Sequence, residues 1–143
     1  MKQTVITVAA MLLFAFTVSA YDKPVEFGSL PAAAKAFVAE NFPGVKPLFA
    51  SVEDDFFKPD YELTLENGVK LDFFHDGSLK SIECVSGVSR TLIPSKILKY
   101  ADSRYPGAAI VEYEIGRKAY EIKLGNGLEL KFNKNFQLIE IDD

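Results

Sequence analysis

The sequence predicts an α+β fold: two tandem repeats, each a helix followed by a four-stranded antiparallel meander, joined in one sheet of about eight strands with both helices on one face. Three observations predict it. The stretch "YELTLENGVKLDF", Tyr61 to Phe73, returns 59 positions later as "YEIKLGNGLELKF", Tyr120 to Phe132. The stretch "LPAAAKAFVAENFPGV", from Leu30, returns as "IPSKILKYADSRYPGA", from Ile93. After each of these the apolar spacing changes from a helical period to a period of two, the mark of a half-buried strand.

Residues 1–20 stand outside that fold. Lys2 is followed by an uncharged apolar run from Thr4 to Val18, and small Val18 and Ala20 stand where a signal peptidase reads. This is the pattern of a secretory signal peptide cleaved after Ala20. The run is short for a membrane span and no basic stop-transfer cluster follows it, so no stable membrane anchor is expected after processing. Cleavage leaves 123 of the 143 residues and, with Lys2 gone, 15 of the 16 basic residues against 20 acidic ones. That acidic balance argues against nucleic acid and against an anionic membrane as partners. Cys84 is the only cysteine, so an exported chain has no internal disulfide and depends on its apolar core. The expected organisation is 1–20 signal peptide, 21–28 N-terminal extension, 29–85 first repeat, 86–91 linker and 92–143 second repeat. The two repeats form one domain, because neither alone buries much apolar surface.

Within the helices, a shift of 63 matches Ala34 to Ile97, Phe37 to Tyr100 and Val38 to Ala101, an i, i+3, i+4 face. Pro31 and Pro94 suit a first turn. Pro43 and Pro106 disfavour helix in the residue before them, which stops the helices near Asn41 and Arg104. Gly44 and Gly107 let the chain reverse. In the first strand of each repeat, Leu48, Ala50 and Val52 alternate with Phe49, Ser51 and Glu53, and Val111, Tyr113 and Ile115 with Glu112 and Glu114. Tyr61, Leu63 and Leu65, with Tyr120, Ile122 and Leu124, form the second strands. Asn67-Gly68 and Asn126-Gly127 read as two-residue type I′ turns. Val69, Leu71 and Phe73 return, as do Leu128, Leu130 and Phe132. Asp76-Gly77 and Lys134-Asn135 turn the chain into last strands whose apolar residues stand three apart, Leu79 and Ile82, Leu138 and Ile141, which predicts a bulge in each.

The helix with its aromatic-Pro-Gly break, the Tyr-Glu strand with its Asn-Gly turn, and the duplicated layout resemble the PepSY-like periplasmic proteins, often labelled beta-lactamase-inhibitor-like. The resemblance covers about residues 28–143. It implies tandem α+β repeats whose sheet offers an open concave face, a periplasmic or secreted location, and no catalytic motif to carry over.

The chemistry-bearing residues give no reaction. His75 is the sole histidine and sits at a turn, without the clustered partners a base or metal ligand needs. Cys84 has no second histidine to assemble around it as a nucleophile, and His75 lies on a turn. "EDD", Glu53 to Asp55, lacks the spaced oxygen ligands and glycine of a calcium loop. Glu112, Glu114, Glu121 and Glu129, interleaved with Lys123 and Lys131, read as a solvated face with cross-strand charge pairs. No enzyme activity, metal or cofactor is therefore expected.

The copies differ in one way that bears on function. The first carries "DDFFKP", Asp54 to Pro59, where the second has only a short turn. Phe56 and Phe57 fall on that insertion. Phe49 and Phe74 fall on the open face, where the second copy has Glu112 and Asn133. Aromatics on a charged face have the composition of an interface centre. Phe49, Phe56, Phe57 and Phe74 are thus the candidate partner-binding residues, for an exported or surface protein or peptide. Packing of Phe49, Phe56 or Phe57 against the fold is the competing reading. The alternative functions are small-molecule or metal binding in a sheet groove, and a structural or envelope-stress role.

Overall fold

The computed structural model describes residues 22–53 and 57–143. The predicted signal peptide, residues 1–20, lies outside these, as does Phe56. The elements run β1 (Asp22–Pro24), α1 (Ala32–Asn41), β2 (Pro47–Glu53), β3 (Tyr61–Leu65), β4 (Lys70–Phe73), β5 (Leu79–Glu83), α2 (Ser95–Arg104), β6 (Ile110–Ile115), β7 (Ala119–Leu124), β8 (Glu129–Asn133) and β9 (Leu138–Asp142). All strands form one antiparallel sheet in chain order. Among the described residues no helix is long and apolar enough to cross a membrane.

The sheet has nine strands rather than about eight. Asp22–Pro24 pairs with β2, and Val25 continues the pairing by donating to the Ala50 carbonyl at 3.0 Å. This strand occupies the place beside β2 that β5 occupies beside β6. The alternation rule missed it because it is only three residues long and ends in proline.

Both helices end where the prolines require. The residues before Pro43 and Pro106, Phe42 and Tyr105, leave helical geometry with nearly identical backbone angles and still donate to Val38 and Ala101 at 2.8 and 2.7 Å. A short 3-10 turn precedes each helix, Phe27–Ser29 and Arg90–Leu92, at the same shift of 63.

The core lies between the helices and one sheet face. Its fully buried strand residues recur by repeat: Leu63 with Ile122, Leu65 with Leu124, Leu71 with Leu130, and Phe73 with Phe132. Each such side chain contributes about 1.5–3 kcal/mol of burial. Phe37 meets Phe73 edge-on at 5.8 Å, and Tyr100 meets Phe132 the same way at 5.5 Å. Helix positions exchange volume: Ala34 becomes the larger Ile97 while Val38 becomes the smaller Ala101, all four buried. Such paired changes keep the core filled.

Three local readings need correction. The Asn-Gly turns are not type I′, because Gly68 and Gly127 take positive φ while Asn67 and Asn126 do not. Leu65 and Val69 close a three-residue loop, as do Leu124 and Leu128. The Asn side chain instead accepts the N–H of Val69 at 3.1 Å or Leu128 at 3.0 Å. The second turn of each meander is also a three-residue loop, so its counterparts are His75-Asp76-Gly77 and Lys134-Asn135-Phe136. Finally, Leu48 does not join the core. It is the extra residue of a bulge in β2 and is 70% exposed. The bulges expected in the last strands are present, with Lys80 and Ile139 as the extra residues.

Candidate functional site

The face of the sheet away from the helices carries polar side chains, and the register decides which meet. On β7 to β9 opposite charges do: Lys123 lies 3.4 Å from Glu129, and Lys131 lies 3.8 Å from Glu140. Towards the middle of the sheet the pattern reverses. Glu62 stands opposite Asp72, Glu83 opposite Glu112, and Glu114 opposite Glu121. Like charges directly across strands cost stability. The cross-strand charge pairing expected from alternation therefore holds for only part of this face.

The carboxyl groups register that crowding. Partial burial pushes Glu62, Asp72, Glu112 and Glu121 above their ordinary values, and a neighbouring carboxylate adds to the shift at Glu62 (Asp72), Glu112 (Glu83) and Glu121 (Glu114). Asp72 is partly relieved by the Ser81 hydroxyl, which donates to it at 2.8 Å, and by Lys80.

At one end of this face, where the repeats join, three connections enclose an open cleft of about 680 Å³. The link after β2 supplies Phe57, Lys58 and Asp60. The turn after β4 supplies Phe74, His75, Asp76 and Ser78, and the end of β6 supplies Glu114, Ile115 and Arg117. Lys80 holds two of these pieces together. Its ammonium donates to Asp60 at 2.6 Å and lies 5.9 Å from the centre of the Phe74 ring. The hydrogen bond with Asp60 raises the Lys80 pKa. Asp76 is held below its usual range by the hydroxyl and N–H of Ser78.

Of the predicted aromatic residues, Phe57 and Phe74 are brought together here. Phe57 is 90% exposed, and Phe74 is half-buried against Lys80. Phe49 is 47% exposed but stands apart, opposite Thr64 near the other end of β2. Single-sequence reasoning missed Ile115, Arg117 and Glu114 as neighbours of Phe57. Only the β5–β6 pairing between repeats brings them together, and no local pattern encodes it.

His75 lines the cleft as an exposed turn residue, and Cys84 lies 3.2 Å from the Ser86 hydroxyl. Among the described residues no three or more His, Cys, Asp or Glu side chains are grouped to hold a metal ion. The cleft is open and lined by charges of both signs. A site for a small ligand is enclosed and largely apolar, and this cleft is neither.

The sequence matches the family model described as "Putative beta-lactamase-inhibitor-like, PepSY-like" twice, over residues 17–81 and 59–140. No curated protein matches it. Solved structures are similar in sequence and fold, among them the following three. One, from Bacteroides vulgatus, is described as a "putative periplasmic protein" of the DUF2874 family. It is 35% identical with a TM-score of 0.82, over 87% of this chain and 99% of that one. A second protein of that organism, also described as "putative periplasmic", is 32% identical with a TM-score of 0.81, over 85% and 99%. The third, from Bacteroides thetaiotaomicron, is described as a "putative calcium-regulated periplasmic protein". It is 36% identical with a TM-score of 0.80, over 85% and 97%.

Proposed function

The chain belongs to the PepSY-like family, and from that premise we propose that it is an exported, non-enzymatic binding protein whose open sheet face takes a cationic protein or peptide. The observation that carries this reading is Phe57. A phenylalanine 90% exposed beside Phe74 and Ile115 is costly to leave in water, and aromatic anchors of this kind dominate interface energetics. The acid pairs on the same face, only partly relieved by Ser81, Lys80 and Lys123, supply the charge preference. Lysine or arginine brought between Glu62 and Asp72, or Glu83 and Glu112, would remove a repulsion as well as add an attraction.

Export follows from the apolar segment Thr4 to Val18 and the small residues before Tyr21. The periplasmic descriptions of three similar structures support the same compartment.

The test is affinity capture by the tagged mature protein, beginning at Tyr21, from envelope extract. Wild type is compared with Phe57→Ala/Phe74→Ala, at low and raised salt, with calcium or with a chelator. Loss of a captured basic protein in the variant and at raised salt is the expected result. Capture indifferent to both changes would overturn the reading. Capture that needs calcium would favour the calcium regulation named in the description of one relative.

A further inference from the structure

The internal duplication supplies a template for a second binding surface. In the first repeat, the outer edge of β5 is occupied by β6, with Ile82 opposite Tyr113 and Ser81 and Glu83 opposite Glu114 and Glu112. In the second repeat, β9 is the counterpart of β5 and, among the described residues, has a neighbour on one side only, β8. Exposure follows from that difference. Ile82 is 1% exposed, whereas its counterpart Ile141 is 48% exposed and the adjacent Ile139 is exposed too.

The direction of the backbone groups can be read from the same template. Cys84 donates its N–H to the Val111 carbonyl across the β5–β6 boundary at 2.8 Å. Strand alternation places the N–H and C=O of Ile82 on that side as well. By the repeat, Ile141 projects its N–H and C=O from the open edge of β9. The geometry that receives a strand within the chain is therefore presented again at its edge.

The side chains select the strand. Glu140 and Asp142 flank Ile141 on the open face, and with Glu121 and Glu129 they surround Lys131 in a shallow hollow. Even with Lys123 paired to Glu129 at 3.4 Å from beside the hollow, four carboxylates against two ammonium groups leave an excess of negative charge. An antiparallel pair of β9 strands centred on Ile141 would place Glu140 opposite the partner copy's aspartate on both sides, so a second copy is disfavoured. We propose that the β9 edge accepts an extended segment of another protein by strand addition, and that this segment alternates apolar with basic residues. The apolar residue would lie opposite Ile141 and the basic residues opposite Glu140 and Asp142. The competing reading is that the acids only guard a bare edge against aggregation.

Hydrogen exchange on the mature protein separates the two. The probes are a short peptide alternating lysine and valine and the same peptide with glutamate for lysine. The lysine peptide should slow exchange of the Ile141 amide at least about tenfold, and the glutamate peptide should not. Glu140→Lys/Asp142→Lys should reverse the preference. Ile141→Pro removes the outward N–H and the apolar side chain together and should abolish the lysine peptide's effect on exchange in β9. Phe57→Ala/Phe74→Ala should leave the lysine peptide's effect intact, which keeps this edge distinct from the cleft. Equal response to both peptides, or none to either, would sink the proposal.

Discussion

Gly77 and Phe136 occupy the same turn position of the two repeats, both in the left-handed region, at φ 85° and 62°. Their surroundings explain the exchange. A Cβ on Gly77 would lie 2.8 Å from the Pro31 Cβ and 2.9 Å from the Ala34 backbone nitrogen, so that turn is pressed against the start of α1. At Phe136 the ring stacks on Tyr120 at 5.3 Å, and the Lys96 ammonium lies over it, 5.8 Å from the ring centre. Gly77→Ala should therefore destabilise by about 2–4 kcal/mol, from left-handed strain and from overpacking together. Phe136→Gly relieves strain of about 1–2 kcal/mol while losing the stack, so its net cost should be smaller. Urea unfolding of the two variants checks the order.

Asn67→Ala and Asn126→Ala should each cost about 1 kcal/mol, the usual loss of one hydrogen bond. Each removes the acceptor for the N–H two residues on, Val69 or Leu128. Equal shifts in the denaturation midpoint are expected. Clearly unequal ones would show that the turns do not serve their repeats alike.

Phe57→Ala should change folding stability by no more than about 0.5 kcal/mol, the range of an exposed position. Its effect on binding should be about 2 kcal/mol or more if the ring is an interface anchor. Thermal unfolding measures the first and titration with a captured partner the second. A large stability loss would place Phe57 in the fold's packing instead.

The acidic face predicts an unusual response to mild acid. Glu62, Asp72, Glu112 and Glu121 have folded-state pKa values above their unfolded values of 4.5 or 3.8. Across the interval between the two, the folded chain binds more protons than the unfolded one, so stability rises as pH falls through it. Asp76 has the opposite sign, but its loss begins below 3.8, in a lower window. The melting temperature should thus rise on acidifying from neutral towards the ordinary carboxyl range before general acid unfolding sets in. Glu112→Gln should flatten that rise and stabilise at neutral pH by a few tenths of a kcal/mol, since the group is largely solvent-screened.

Much of this fold is legible in single residues. Pro43 and Pro106 fix where both helices end, and the alternation about Leu63 and Ile122 assigns the buried face. The strand β1 is not legible, because Asp22–Pro24 has no apolar alternation and is placed only by the edge it covers. Leu48 misleads because a bulge moves it out of phase. The site divides likewise. Phe57 and Phe74 stand out as apolar departures from the repeat. The acid pairs do not, because Glu83 meets Glu112 only through a register set between repeats.

The resemblance of β1 to β5 makes the architecture one-ended. Val25 takes the seat beside Ala50 that Ile82 takes beside Tyr113. A third module grafted by a designer, or acquired by a further duplication, would find its seat already filled ahead of β2. Among the described residues, the open seat is the one beside β9. Growth of the array by this pairing is therefore directed past β9, with β1 closing the other side of the sheet.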